Sequence, residues 1–439
     1  MTKSLISEPS FRATALSVGR TVADRLLDSK SLSQGIQQSS HQTSGPTWTS
    51  LDHSFLAVLC GLLEYAFPCN NYDLLAHHHL AFAVQNNRQI RNISLFGGLT
   101  QIGMATRFLN SQSERYGKLL TNIDVTANKE AELMALAVTD AAKNGTLSFA
   151  KYDIVSGLAG VAIYLISRTT DGYAQSSLEA VLRALIYLSQ SDENSLMNLK
   201  TPRSFVNGFL AGRSVPYDAL VNCGLAHGVP GVLGALSLAH QSGLYAPDLA
   251  ASVQRVLQWL TAHSMSDEWG NSWPDTIAID SYNKYFSPSG ITMDAWCYGS
   301  IGTARAVYLA SKSLGDLESE LFARQVVEDS ILGRSRTKYK DLSPTICHGL
   351  SGMLLACYRF HQDTKSDVLG KAAKQLLDTL TAKYDDSLLF GFRDVNNHGI
   401  QVDDPSFLTG ACGIAMVLLT IANPHGMPSS SWDRILLLS

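Results

Sequence analysis

From residue 51 onward, hydrophobic and polar positions alternate between two kinds of run. Residues 161–166, 232–236, 353–357 and 414–419 are apolar on every side, whereas 178–188 and 372–380 carry apolar stripes separated by charge. A helix that is apolar all round has to be covered on several sides, and a striped one can face water. Each all-apolar run follows a glycine-bearing start: Phe96-Gly97-Gly98-Leu99, Ser156-Gly157-Leu158-Ala159-Gly160, Ala226-His227-Gly228-Val229-Pro230-Gly231, Tyr298-Gly299-Ser300-Ile301-Gly302, His348-Gly349-Leu350-Ser351-Gly352 and Thr409-Gly410-Ala411-Cys412-Gly413. The first glycines, 98, 157, 228, 299, 349 and 410, stand at intervals of 59, 71, 71, 50 and 61 residues, which is a repeat. Each interval has room for two helices of ordinary length with their connections. The pattern predicts an all-α fold, an α/α toroid: a double α-barrel of six or seven helix-hairpin repeats, buried helices inside and amphipathic ones outside. Glycine at the starts would let backbones converge at one mouth and let the preceding loop take positive φ.

Three stretches depart from this pattern. Residues 11–28 place Phe11, Ala15, Val18, Val22, Leu26 and Leu27 at helical spacing. That helix either docks a partner or packs on its own domain, and packing is the commoner fate. Residues 31–50 are Ser/Gln/Thr-rich with Gly45-Pro46 and read as an exposed connector. The expected organisation is therefore a helix and polar connector over 1–50 and a toroid over 51–439. Residues 269–290, with Trp269, Trp273, Pro274, Tyr282, Tyr285 and Pro288, read as an irregular or β-containing insertion near the mouth, a substrate lid. Residues 385–405, including Asn396-Asn397-His398-Gly399, read as a hairpin or turn region.

Composition narrows the function classes. A net charge of -4 argues against a nucleic-acid partner, which would need a basic footprint. Seven cysteines (60, 69, 223, 297, 347, 357 and 412), odd in number and widely spread, do not suit a disulfide framework and point to a reducing cytoplasm. The first ten residues have no apolar signal region, and no apolar run approaches the roughly 20 residues that span a bilayer.

The candidate chemistry lies at the helix starts. Cys297, Cys347 and His348 occupy equivalent places in two neighbouring repeats, and two thiols with an imidazole suit a catalytic zinc that keeps a fourth position open. Alone, either cysteine would read as a buried small hydrophobe. His227 sits at the corresponding start of another repeat, as a structural histidine or as an acid or base. Asp153, four residues before Gly157, falls at the same rim, as a helix N-cap or rim charge or as a catalytic group. Cys223, Cys357 and Cys412 read as core residues, and the consecutive His77-His78-His79 point about 100 degrees apart on a helix and cannot share a metal. An α/α-toroid glycosidase would need two carboxylates across a cleft, and Asp403-Asp404 with Asp153 make no such pair.

The combination of Asn222-x-Gly-Leu-Ala-His-Gly-x-Pro-Gly, Asp294-Ala-Trp-Cys-Tyr-Gly, Cys347-His-Gly-x-x-Gly and Phe407-Leu-Thr-Gly-x-x-Gly-Ile-Ala resembles the lanthionine synthetase C family of lantibiotic cyclases, from about residue 50 to the C-terminus. The resemblance implies one zinc ion per chain on Cys297, Cys347 and His348. It also implies an enzyme that adds precursor-peptide cysteines to dehydroalanine or dehydrobutyrine, forming (methyl)lanthionine thioether rings. His227 matches the family's acid/base residue, Asp153 its acidic partner and Tyr298 the tyrosine after the zinc cysteine. The implied partners are a dehydrated lantibiotic precursor peptide with its leader, a dehydratase and an ABC exporter. The protein would be cytoplasmic, peripheral at the membrane through those partners. A zinc toroid that holds the peptide or dehydratase without catalysing is the rival expectation. Relatives carry an arginine four residues before the first zinc cysteine, where this chain has Met293; either Lys284 or Arg305 substitutes for it, or the role is absent.

Overall fold

The computed structural model describes residues 8–42, 48–68, 70–169, 175–191, 197–206, 217–287, 293–333, 342–395, 400–423 and 431–439. Two helices come first, α1 (Pro9–Leu27) and α2 (Ser29–Gln42). There follow the pairs α3 (His53–Ala66) and α4 (Tyr72–Asn86), then α5 (Leu99–Ser113) and α6 (Gly117–Lys143). After the short α7 (Phe149–Tyr152) come α8 (Leu158–Arg168) with α9 (Gln175–Ser189), and α10 (Val229–Gln241) with α11 (Leu249–Ala262). The series ends with α12 (Ser300–Leu314) and α13 (Leu317–Leu332), α14 (Leu350–Thr364) and α15 (Asp367–Thr381), and α16 (Ala411–Ala422). The inner members α3, α5, α8, α10, α12, α14 and α16 make seven among the described residues, and the predicted toroid is the observed fold.

Burial separates the two rings. All eleven residues of α8 and all twelve of α16 are buried, while α15 buries only the stripe Leu369, Gly370, Ala372, Ala373, Leu376, Leu377 and Leu380. The last inner helix takes its outer partner from the other end of the sequence. Gly19 of α1 lies against Leu418 and Leu419 of α16, and Phe11, Ala15, Val22 and Leu26 are buried. The opening helix thus packs on its own fold and completes the outer ring. The stretch after it is helical rather than an irregular connector up to Gln42, because Leu32, Gly35 and Ser39 form a buried stripe despite the polar composition. Its residues 43–47 lie outside the described ones.

The helix starts show why the glycines repeat. A Cβ on Gly160, Gly231, Gly302, Gly352 or Gly413 would lie 2.2, 2.6, 1.9, 2.1 or 2.0 Å from the carbonyl oxygen six residues earlier. The loop folds back onto the helix it introduces. Close approach is thus the general reason; among the six first glycines only Gly299, at φ +82, needs the left-handed region. The loops are then laced to one another. The N–H of Phe96 donates to Val155 O (3.0 Å), Ile154 to Ala226 O (3.3 Å), Ala226 to Cys297 O (3.3 Å), Cys297 to Cys347 O (3.2 Å) and Cys347 to Leu408 O (3.0 Å). Equivalent positions of successive repeats are therefore neighbours around one mouth.

Small sheets sit at the same level. β1 (Thr201–Pro202) and β2 (Ala219–Asn222) precede the two-stranded pair β3 (Met265–Asp267) and β4 (Gly270–Ser272). With β5 (Thr276–Ile279) and β6 (Tyr285–Phe286), the first two form an antiparallel sheet of order β1-β2-β5-β6. Residues 269–290 thus contain strands, as expected, but β5 is buried throughout and pairs Thr276 with Asn222, supporting the His227 loop from behind. Residues 288–290 lie outside the described ones. A last hairpin joins β7 (Asp394–Val395) and β8 (Gln401–Val402); the turn expected at 396–399 is outside the described residues. No helix among the described residues is long and apolar enough to cross a membrane.

The interior of the inner ring is filled by the C-terminal segment. Trp432, Ile435, Leu436, Leu437 and Leu438 are buried, Trp432 Nε1 donates to Thr420 Oγ1 (2.9 Å), and Trp296 Nε1 donates to Leu436 O (2.9 Å).

Candidate functional site

The lacing of the loops decides which side chains meet. Cys297 and Cys347 hold the same place in adjacent repeats, two residues before the first glycine, and their backbones are bonded directly. Their sulfurs lie within hydrogen-bond contact. The Cys347 thiol is held well below the usual thiol range, first by the hydrogen bond from Cys297, against burial, with His348 and the nearby His227 adding to the effect. Cys297 is pushed up because it keeps the proton of the pair and is buried. His348 lies against Cys347 and is raised to about 10, first by Asp394 and then by the Cys347 sulfur, with burial opposing.

The position just before the first glycine carries Ser156, His227, Tyr298, His348 and Thr409 in successive repeats. These polar side chains share the mouth with the cysteines. His227 Nδ1 donates to Asp153 Oδ2 at 2.6 Å, and that carboxylate is 1% exposed while the imidazole is 41% exposed. The other oxygen of Asp153 accepts the N–H groups of Ser156 (2.7 Å) and Gly157 (2.9 Å). Asp153 therefore does both things expected of it, anchoring the turn into α8 and holding His227. Tyr298 accepts a hydrogen bond from Asn222 Nδ2 (3.0 Å), and Asn222 Oδ1 is in turn fixed by the N–H of Gly224 (2.9 Å). Burial pushes the Tyr298 phenol upward, so it keeps its proton at neutral pH. The ring lies where a Cβ on residue 224 would be, 2.5 Å from its carbons, which accounts for that glycine.

Five residues expected from sequence to carry chemistry (Cys297, Cys347, His348, His227 and Asp153) are thus assembled at one mouth, with Tyr298 beside them. The two substitute cations are not. Arg305 points away from the mouth, pairing with Asp363 in the last turn of α14 between the rings of Tyr308 and Phe360. Lys284 is exposed in the β5–β6 turn, where its N–H donates to Asp280 Oδ1 (2.9 Å). Met293 is 40% exposed, and its carbonyl abuts Gly299. His77 and His79 point to different neighbours, Tyr116 and His53, as their helical spacing requires.

Two contributors escaped the sequence. Asn222 stands inside a motif but shows its part only when Tyr298 is brought to it. Asp394 reaches His348, its Oδ2 3.6 Å from Nε2, and comes from the β7–β8 hairpin, which belongs to no repeat register.

Among the described residues no three His, Cys, Asp or Glu side chains converge as a ready metal cage. The fit to a metal is one of donor chemistry and of pairwise contacts: two adjoining sulfurs, one of them readily deprotonated, with an imidazole against it. That is a suitable set for zinc with an open coordination position.

The sequence model of a family described as "Lanthionine synthetase C-like protein" matches residues 54–437. The nisin biosynthesis protein NisC of Lactococcus lactis subsp. lactis is 24% identical over 352 residues, covering 79% of this chain and 77% of that protein. Among solved structures, a nisin cyclase superposes with a TM-score of 0.72 at 19% identity, over 88% of this chain and 90% of its own; this likeness speaks to the fold.

Proposed function

The chain belongs to the lanthionine synthetase C-like family, and from that premise we propose that it is a zinc-dependent lantibiotic cyclase. The observation that carries the reading is the meeting of Cys297, Cys347 and His348 at the mouth that also holds the His227–Asp153 pair. Cys297, Cys347 and His348 would hold one zinc ion. Bound there, the ion would keep an incoming peptide cysteine as thiolate, since metal coordination removes a thiol's proton.

The chain's own side chains supply the rest. The peptide sulfur adds to the β-carbon of a dehydroalanine or dehydrobutyrine, the double-bond electrons move toward the carbonyl, and the α-carbon must then take a proton. His227 would deliver it: with Nδ1–H donated to Asp153, Nε2 is the nitrogen free to take up the proton that the peptide thiol gives up, and the imidazolium so formed would pass that proton to the α-carbon. A positioned general acid of this kind contributes typically about 10²–10⁴-fold. The Tyr298 phenol, held by Asn222 and protonated, is a neutral hydrogen-bonding group beside Cys297. Neither Lys284 nor Arg305 replaces the arginine at Met293, so in this reading the developing charge relies on hydrogen bonds from the described residues and on the metal.

The substrate of this reading is a dehydrated precursor peptide bearing its leader, made in the cytoplasm by a dehydratase and handed to an ABC exporter at the membrane. The test uses metal analysis and thiol alkylation of dehydrated precursor together. Wild-type protein should carry about one zinc and remove alkylatable thiols from the peptide, and Cys347→Ala should lose both. Zinc without thiol consumption would favour the scaffold reading, and equal zinc in Cys347→Ala would end the metal assignment.

A further inference from the structure

A histidine bound to a metal through one nitrogen commonly gives its other nitrogen to a carboxylate, which fixes the ring. His348 has such a neighbour. Its Nε2 faces Asp394 Oδ2 at 3.6 Å, an ion-pair contact slightly longer than a hydrogen bond. Nδ1 is then the nitrogen left for a metal. The carboxylate is 10% exposed at its side chain, so few waters compete for it.

Asp394 is also held from both sides. Upstream, Phe390 and Phe392 are buried, and Gly391 takes φ +81 in the turn between them. Downstream, Val402 is the strand partner of Asp394 and is buried, and Arg393 pairs with Asp403 at 2.7 Å. The N-terminal helices press on the same arm. Gly35 of α2 lies against the Phe390 ring, and Arg25 of α1 donates to Leu388 O (2.8 Å) and pairs with Asp386. The hairpin is a braced arm whose inward residue is the carboxylate, while its neighbour Val395 is 53% exposed.

We propose that Asp394 is a positioning residue for the metal site, locking the His348 ring so that Nδ1 is presented beside Cys347, with the arm braced by α1 and α2. This inference rests on the zinc reading above. It differs from that reading in naming a group that does not itself bind the ion, brought from outside the repeats.

Zinc affinity of the full chain, measured by competition with a chromophoric chelator, is the test, with the absorption of the cobalt(II)-loaded protein as a second readout. Asp394→Asn and Asp394→Ala should each bind zinc about 10–100-fold more weakly than wild type, the usual range for losing such a partner. Their cobalt spectra should shift, Asp394→Glu should restore part of the affinity, and Val395→Ala should match wild type. Wild-type affinity and spectrum in Asp394→Asn would overturn the proposal. So would a loss of affinity accompanied by an equal fall in thermal midpoint of the metal-free protein, which would mark the residue as structural. Failure of wild type itself to bind zinc would instead overturn the metal reading.

Discussion

At the scale of residues, the site separates two roles that one side chain performs. Asp153 satisfies two backbone N–H groups through one oxygen and His227 through the other. Replacing it by asparagine keeps an oxygen for the turn but removes the negative charge facing Nδ1, and an amide N–H turned that way would favour the wrong tautomer. Replacing it by alanine removes both, leaving buried donors unpaired at a cost of about 1–3 kcal/mol. Asp153→Asn is therefore expected to slow cyclisation of a dehydrated peptide with little change in thermal midpoint, whereas Asp153→Ala slows it and melts earlier. His227→Ala, 41% exposed and outside the sulfur pair, should retain zinc and lose about 10²–10⁴-fold in cyclisation rate. An unchanged rate in His227→Ala would remove it from the mechanism.

At the scale of elements, the second glycine of each start is the joint between loop and inner helix. Gly302 is a sharp test, because its Cβ would sit 1.9 Å from the Trp296 carbonyl and 3.0 Å from Leu225. Neither backbone nor buried neighbour can yield cheaply, so Gly302→Ala should destabilise by about 1–3 kcal/mol in denaturant titration, as overpacked sites do. It should also loosen the Cys297 loop that the same turn shapes. These glycines are why six inner helices could be read from sequence and why four candidate residues could be expected at one mouth: a geometric need recurred, and it placed Cys297, Cys347, His348 and His227 in equivalent positions. What lacked the recurring need was harder to read. The inner helix α3 is preceded by a short 3-10 turn, Ser50–Asp52, closed by a Thr49–Asp52 capping box, in place of glycines. The helix α2 hides a buried stripe inside Ser- and Gln-rich composition. Asp394 belongs to a hairpin whose position over His348 depends on Phe390, Val402 and α2 together, contacts far apart in sequence. Arg305 misled because spacing along α12 does not say toward which end of the barrel its long side chain runs.

At the scale of the whole molecule, the two chain ends finish the barrel: α1 closes the outer ring, and the C-terminal segment fills the inner one. The filling is held by a buried ion pair. Asp433 accepts from Arg359 Nε (2.7 Å) and Nη2 (3.0 Å) and from the Ser431 hydroxyl. Burial alone would raise the Asp433 carboxyl, but the guanidinium and the hydrogen bonds prevail and leave it below the ordinary carboxylate value. Its folded pKa is thus the depressed one, so its stabilisation is complete above the unfolded value near about 3.9 and is lost as pH falls through the folded value. Asp404 behaves oppositely, since burial holds its carboxyl above the ordinary value and the penalty of its charge fades as it takes up a proton. Asp433→Asn should cost about 3–5 kcal/mol at neutral pH, because Arg359 keeps its charge in a largely buried place without the carboxylate that pairs with it. Thermal midpoints of wild type and Asp433→Asn, followed from pH 7 to pH 3, should therefore converge below pH 4. Curves that stay parallel would mean that the Asp433 carboxylate does not hold the C-terminal filling in place.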